Sequence, residues 1–258
     1  MLFLPTLSGF GAKTIDPDAQ AWFTAMESAG ATFASGAKDA YNAFFVSEAA
    51  NGNLAKFNNG MLLAYAGFTG LNGCFVPLRS RGGQLPINVG FVAGQHNSTG
   101  LQGNTSSTID CVISFLPGQL DNHSVVSYGS TLQTTTDGTD VSAEGVGKTQ
   151  IGEQVAGGAY LRSSTAGAAV VGLTKSTGYR GFVRTVGASL TYYTSSSSST
   201  VTLASDAAPT TPVLLFGRPT DLKSNRKMQL LGWGDALPDP ASFRAATNTL
   251  MAALGIAT

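Results

Sequence analysis

The sequence is poor in charge. Lys, Arg, Asp and Glu make up 12% of its 258 residues, and 15 basic side chains balance 15 acidic ones. With no net charge and no long basic run, nucleic acid is not expected as a partner. Cysteine is scarce as well. Cys74 and Cys111 are the only two. They form no Cys-x-x-Cys, and with His96 and His123 as the only histidines they point to no zinc set. Both thiols are expected to be reduced and buried as small hydrophobes. No apolar run is long enough to span a bilayer. The opening MLFLPTLSGFGAK is apolar, but it lacks a basic n-region and a small-residue cleavage site, so no signal peptide is expected. Sequons at Asn97, Asn104 and Asn122 carry little weight without a secretory route.

The signatures of catalysis are missing too. There are four glutamates, Glu27, Glu48, Glu144 and Glu153. None falls in a Glu-x-Glu pair, the spacing that sets two carboxylates on one face of a strand for glycoside hydrolysis. Glu144 and Glu153 flank EGVGKTQIGE and are able to approach one another in a hairpin, but solvated surface carboxylates are the better reading. There is no Gly-x-Ser-x-Gly elbow for a serine nucleophile. His96 and His123 read as surface or hydrogen-bonding side chains. Asp121, Asn122 and His123 offer hard donors for calcium, with Asp137 and Asp140 near by in sequence. The EF-hand pattern is absent and Asp-Gly is first a turn signal, so no metal or cofactor is expected. GVGKT at 145–149 lacks the upstream glycine and following helix of a phosphate loop.

What remains is a glycine-rich chain, 32 in number and 43% hydrophobic, with short runs of period-two alternation. The clearest is Gly181 to Leu203. Leu190 and Tyr192 alternate on one arm and Val201 and Leu203 on the other, with Ser195 to Ser199 between them, which predicts a β-hairpin. Further strands are expected at Cys74–Leu78, Ile87–Ala93, Ile109–Leu116, Ser124–Tyr128, Gln150–Val155, Ala159–Arg162, Ala168–Thr174, Arg180–Arg184, Val213–Gly217 and Met228–Trp233. His96 to Thr108 reads as loop, Thr134 to Thr139 as a turn cluster, and Met61–Tyr65 fits helix and strand equally. Such spacing predicts an antiparallel sandwich or barrel.

Helices bracket the strands. Asp16-Pro17 supplies an N-cap and a first-turn proline, followed by a stripe of Ala19, Trp22, Phe23, Met26 and Ala29 and a C-terminal Gly30. Ser35 is expected to cap a second helix carrying Ala37, Ala40, Tyr41, Phe44 and Phe45. Asp239-Pro240 repeats the start signal before Phe243, Ala246, Leu250, Met251 and Leu254. The division expected is an N-terminal arm at 1–15, a helical hairpin region at 16–73, and a β-sandwich domain at 74–258 with its C-terminal helix at 238–255.

Three pieces carry a resemblance: the hairpin DPDAQAWFTAMESAGATFASGAKDAYNAFFV, the loop HNSTGLQGN, and the tail from RGFVRTVGASL through LLFGRPT to GWGDALPDPASFRAATNTLMAALG. In this order they resemble a group of tailed-bacteriophage structural proteins, with a helical hairpin before a concanavalin A-like, jelly-roll lectin sandwich. The resemblance implies a non-enzymatic virion protein of tail tip, tail fibre or head decoration, assembled in the host cytoplasm. It implies other virion proteins and further copies of the chain as partners, and host-surface carbohydrate as a ligand. It transfers no site residue. A glycoside hydrolase or a free lectin module on the same fold is the alternative. For glycan contact the side chains of interest are Tyr192, Tyr193, Tyr179, Tyr160 and Trp233 as aromatic platforms, with His96 and Asn97 in a loop. Tyr192 and Tyr193, being adjacent in a strand, are expected on opposite faces.

Overall fold

The computed structural model describes residues 14–134, 137–167, 169–218 and 221–256. The arm expected at 1–15 lies outside these apart from Thr14 and Ile15. Helix α1 (Pro17–Ser28) starts where the sequence places it. The Asp16 carboxylate accepts the amides of Asp18 and Ala19 at 2.9 and 3.2 Å, a cap contributing about 1 kcal/mol. Gly30, at φ +86°, turns the chain away. Helix α2 (Ala37–Ala50) corrects one expectation: Ser35 is not its cap. The N-cap is Gly36, at φ +76°, and no side chain bonds the first turn. A short α3 (Asn53–Lys56) follows. Helix α4 (Pro240–Ala253) begins on Asp239, whose carboxylate accepts the Ser242 amide at 2.9 Å.

The strands form two large antiparallel sheets. One runs in the order Val170–Leu173, Ala159–Thr165, Lys148–Glu153, Gly138–Ala143, Leu214–Leu215, Thr108–Asp110, Ile87–Val89. The other begins at Ser198–Thr202 and passes through Ser189–Thr194, Gly178–Val186, His123–Gly129 and Lys227–Gly234 to Met61–Ala64 and Arg79–Ser80, with Gly100–Gln102 and His96–Asn97 joined at its side. Their inner faces share one continuous core. This is the antiparallel β-sandwich of jelly-roll type with an N-terminal helical hairpin and a C-terminal helix.

Several local readings change. Met61–Ala64 is a strand, paired with Lys227–Gly234. Cys74–Leu78 is not: residues Leu71–Phe75 form a 3-10 turn. The strand expected over Ile109–Leu116 shrinks to Thr108–Asp110, because Val112 sits at φ +63° and breaks the extended run. The supposed loop from His96 to Thr108 contains a tight hairpin, in which His96 pairs with Leu101 and Asn97 with Gly100. Its polar residues hid strands that pair at the sheet margin.

The helices cover the outer face of the second sheet. Phe243 of α4 lies 5.8 Å from Phe44 of α2 and 6.4 Å from Tyr179 of the strand beneath. Fully burying such a phenylalanine contributes about 1.5–3 kcal/mol. Strands sandwiched in this way are buried on both faces, as His123–Gly129 is along its whole length. Their sequences therefore lack the apolar–polar alternation of a half-exposed strand.

Candidate functional site

The hairpin Ser189–Thr194/Ser198–Thr202 ends one sheet, and Val170–Leu173 ends the other. Between these edges lies a cleft of about 200 Å³, lined by Gly172, Thr174, Tyr192, Thr194, Ser197 and Ser199, with Leu173 beside them. Apart from Leu173 and the glycine, every lining residue carries a hydroxyl, and none is charged. A larger groove of about 300 Å³ between α2 and α4 is walled mainly by alanine with Phe44 and Leu250, and carries the hydroxyls of Ser47, Ser242 and Thr249 among them. Hydroxyls dominate the lining of the cleft, and apolar side chains that of the groove.

Strand pairing places Tyr192 there. Its Cα lies opposite Phe182 on one side and Ser199 on the other. Tyr192 and Tyr193 point to opposite faces, as adjacent strand residues must. Tyr192 faces the interior with 3% of its surface exposed, and its hydroxyl is buried with no hydrogen-bond partner. Burial raises its pKa, against the pull of Arg180. Tyr193 is half-buried on the other face. The Arg244 guanidinium of α4 sits 5.8 Å from its ring centroid. The rim of the cleft is tied to the same helix: Arg244 Nη1 donates to the Ser197 carbonyl at 2.9 Å and Asn248 Nδ2 to the Ser195 carbonyl at 3.0 Å. The Ser197 amide closes the turn on Thr194 Oγ1 at 3.2 Å.

The other aromatic candidates pack inside the molecule. Tyr179 is buried against Phe243, and its amide donates to Ser195 Oγ at 2.7 Å. Tyr160 is buried with its hydroxyl on Thr139. Trp233 is wholly buried, 6.4 Å from the Phe115 ring. His96 is buried against Phe68, its Nε2 3.0 Å from the Tyr65 carbonyl, and burial lowers its pKa. Of the pair in that hairpin, Asn97 is exposed, its carboxamide oxygen accepting the Thr99 amide at 3.0 Å. The structure thus brings one named candidate, Tyr192, to the cleft, together with the serine loop.

The carboxylates are where the sequence reading needs most correction. Glu144 and Glu153 do not approach each other. They sit at opposite ends of the hairpin that pairs Gly138 with Glu153 and Ala143 with Thr149. Nor is Glu153 solvated. With Asp140, Arg180 and Arg226 it forms a fully buried quartet between the sheets. Arg180 Nη2 lies 2.5 Å from Asp140 Oδ2 and its Nη1 2.8 Å from Glu153 Oε1; Arg226 Nη1 lies 2.6 Å from Asp140 Oδ2. Ser224 and Ser127 add hydroxyl donors to Asp140 at 2.9 and 3.2 Å. Burial raises the pKa of both carboxyls and Arg180 opposes it. These four, missed as a site, had a signal. Phe182 is an inward residue, and Arg180 and Arg184 stand two positions either side of it, so all three share one face.

His123 is not at the surface either. It is fully buried at the other end of the same inner face. Its Nδ1 is 2.6 Å from the Gln119 carbonyl and its Nε2 2.9 Å from Ser163 Oγ, while Arg184 Nε donates to that hydroxyl at 2.8 Å. The arrangement reads consistently as a neutral ring donating through Nδ1 and accepting the serine proton at Nε2. Burial pushes its pKa down to about 4. The cluster ties strands of both sheets, and His123, Ser163 and Arg184 are all fully buried, so the serine hydroxyl is sealed from solvent. Among the described residues no group of three His, Cys, Asp or Glu side chains is placed to hold a metal ion, and no helix is long and apolar enough to cross a membrane.

No family model and no curated protein matches the chain. Solved structures do. The sialidase of Trypanosoma rangeli is similar at 9% identity and a TM-score of 0.46, over 83% of this chain and 39% of that one. Domain 4 of a GH43 extracellular arabinanase from Geobacillus stearothermophilus, in complex with arabinotriose, is similar at 15% identity and a TM-score of 0.39, over 73% of this chain and 99% of that domain. The binding domain of botulinum neurotoxin serotype D is similar at 12% identity and a TM-score of 0.41, over 70% and 48%. The chain spans less than half of the sialidase and of the neurotoxin domain. These matches correct one expectation: the chain is not set down as a non-enzyme, because structures from glycoside hydrolases stand among them. Likeness at this identity is one of fold and assigns no activity.

Proposed function

We propose that the protein binds carbohydrate in the cleft beside Tyr192. One observation carries this reading. Five hydroxyl-bearing side chains, Thr174, Tyr192, Thr194, Ser197 and Ser199, converge on one cleft that no charged side chain lines. Convergent hydroxyls offer donors and acceptors to a neutral polar ligand, each hydrogen bond contributing about 0.5–1.5 kcal/mol. Sugars are ligands of this kind, with alternating hydroxyls and no formal charge to desolvate. The virion setting is supported by the sequence resemblance: particle-bound copies, with other virion proteins as neighbours, displaying the cleft toward host-surface glycan.

Titration calorimetry against neutral arabino-, xylo- and gluco-oligosaccharides, with sialylated ones alongside, tests the reading. Ser199→Ala, at an exposed lining hydroxyl, is expected to raise Kd by about 3- to 10-fold, the worth of one hydrogen bond, without lowering thermal stability. Unchanged affinity in that variant, or no glycan bound by the parent, would overturn it. Mass spectrometry of the recovered oligosaccharide reports cleavage in the same samples.

A further inference from the structure

The edge opposite the cleft has a different character. Among the described residues strand Ile87–Val89 is the last of its sheet and paired on one side only, with Ile87 opposite Asp110 and Val89 opposite Thr108. It is open, and apolar apart from Asn88, whose carboxamide bonds the Phe91 backbone: Ile87 is 54% exposed and Val89 46%, with Leu85 at 60% just before them. Ile87 and Val89, two apart, share a face. Val92 and Val112 are exposed beside them. Val112 stands two residues past Asp110 and is held at φ +63°. For a β-branched residue that backbone costs of the order of 1–3 kcal/mol, and here it presents a valine to solvent.

Native sheets guard their edges with charge, bulges or a covering element. Among the described residues no element pairs with this one's outer side, and its guards are a length of three residues and Pro86 just before it. From Gly82 to Ile109 the sequence contains no Lys, Arg, Asp or Glu. The charge nearest the strand, Asp110, has its Oδ1 on the Val112 amide at 2.8 Å. What covers such an edge must offer free backbone hydrogen-bonding groups, apolar side chains and no charge.

We propose that the cover is the same edge of a second copy, the two Ile87–Val89 strands pairing antiparallel about a two-fold axis. Two-fold symmetry sets a patch against itself, so an uncharged apolar strand meets its electrostatic match with no like-charge repulsion. The pairing joins two seven-stranded sheets into one. It leaves the Tyr192 clefts free at the two far edges, where paired weak sites gain from multivalency.

Sedimentation equilibrium of the full chain from micromolar to near-millimolar concentration tests this. The parent is expected to double in mass as concentration rises. Ile87→Lys is expected to remain a monomer over that range, with circular dichroism unchanged and Tm equal to the parent's at the lowest concentration, since the side chain it replaces is exposed. Val146→Lys, at another exposed valine, is expected to dimerise like the parent. Hydrogen exchange on the unmodified chain reads the strand directly: amides 87–89 should slow at least tenfold between the lowest and highest concentrations. A parent that stays monomeric, an Ile87→Lys variant that associates as well as the parent, or exchange at 87–89 that ignores concentration would each overturn the proposal.

Discussion

Arg180 and Glu153 belong to different sheets and meet in the middle, guanidinium Nη1 to carboxylate Oε1 at 2.8 Å, with neither side chain exposed to solvent. With Asp140 and Arg226 they make the interior of the sandwich polar at one end, while His123, Ser163 and Arg184 do the same at the other. Between these rows Phe182, Ile151 and Leu161 pack as an ordinary core. The sheets are therefore matched by specific polar pairs as well as by apolar contact, and such pairs discriminate against a slipped alignment.

Removing one member of the quartet should be severe. Arg180→Met leaves Asp140 and Glu153 buried with half of their counter-charge gone. The expected loss is about 3–5 kcal/mol of unfolding free energy in urea. Glu144→Gln is the comparison. Glu144 meets Arg218 at 3.3 Å near the surface, where a pair contributes about 0–1 kcal/mol. Equal losses in the two variants would refute the distinction.

His123 should make the fold acid-sensitive. Its folded pKa is about 4, below the ordinary 6.5, with burial the main cause. The unfolded chain thus takes up this proton first as pH falls. Stability from the neutral ring is complete above pH 6.5 and is lost progressively toward pH 4, by about 3 kcal/mol in all. Asp140 and Glu153, with raised pKa, act in the opposite sense over part of that range. The readout is therefore the difference between parent and His123→Gln. The destabilisation caused by the variant should shrink by about 2–3 kcal/mol between pH 7 and pH 4.5. A gap independent of pH would exclude the histidine as the cause.

Both cysteines should be silent in the native protein. Cys74 and Cys111 are free and buried, and burial raises both thiols far above the ordinary range. Ellman titration should find no reactive thiol in the folded chain and two after denaturation without reductant. Fewer than two in the denatured sample would mean that a disulfide forms.

Helix α4 should matter to the cleft without touching its floor. Arg244 and Asn248 hold the carbonyls of Ser197 and Ser195, and Arg244 also covers Tyr193. Arg244→Ala is expected to weaken oligosaccharide binding about 2- to 5-fold while lowering stability by no more than about 1 kcal/mol, because the side chain lies at the surface. Binding equal to the parent would show that the rim needs no tether.

Local chemistry was legible from the chain alone. Aspartate followed by proline marked α1 and α4, because the carboxylate caps free amides and proline needs none. Alternation marked the hairpin around Leu190 and Val201, and adjacency in a strand put Tyr192 and Tyr193 on opposite faces. The balance of small polar and apolar runs indicated an antiparallel sandwich. Ser35 misled because a nearby glycine at positive φ made the turn instead, and Cys74–Leu78 misled because a short apolar run fits a buried 3-10 turn as well as a strand.

What the chain could not show is which polar side chains face inward. Glu153 and Asp140 look like surface carboxylates until the partners that neutralise them, 40 and more residues away in the Asp140 pairs, are brought to the opposite sheet. His96, Trp233 and Tyr179 look available until a hairpin, a second sheet and α4 close over them. The cleft itself exists only where two sheet edges, Val170–Leu173 and Ser198–Thr202, end near each other. Burial and ion pairing depend on distances between segments remote in sequence, so they belong to the tertiary structure. Caps, turns and alternation depend on neighbours within a few residues, so the sequence determines them by itself.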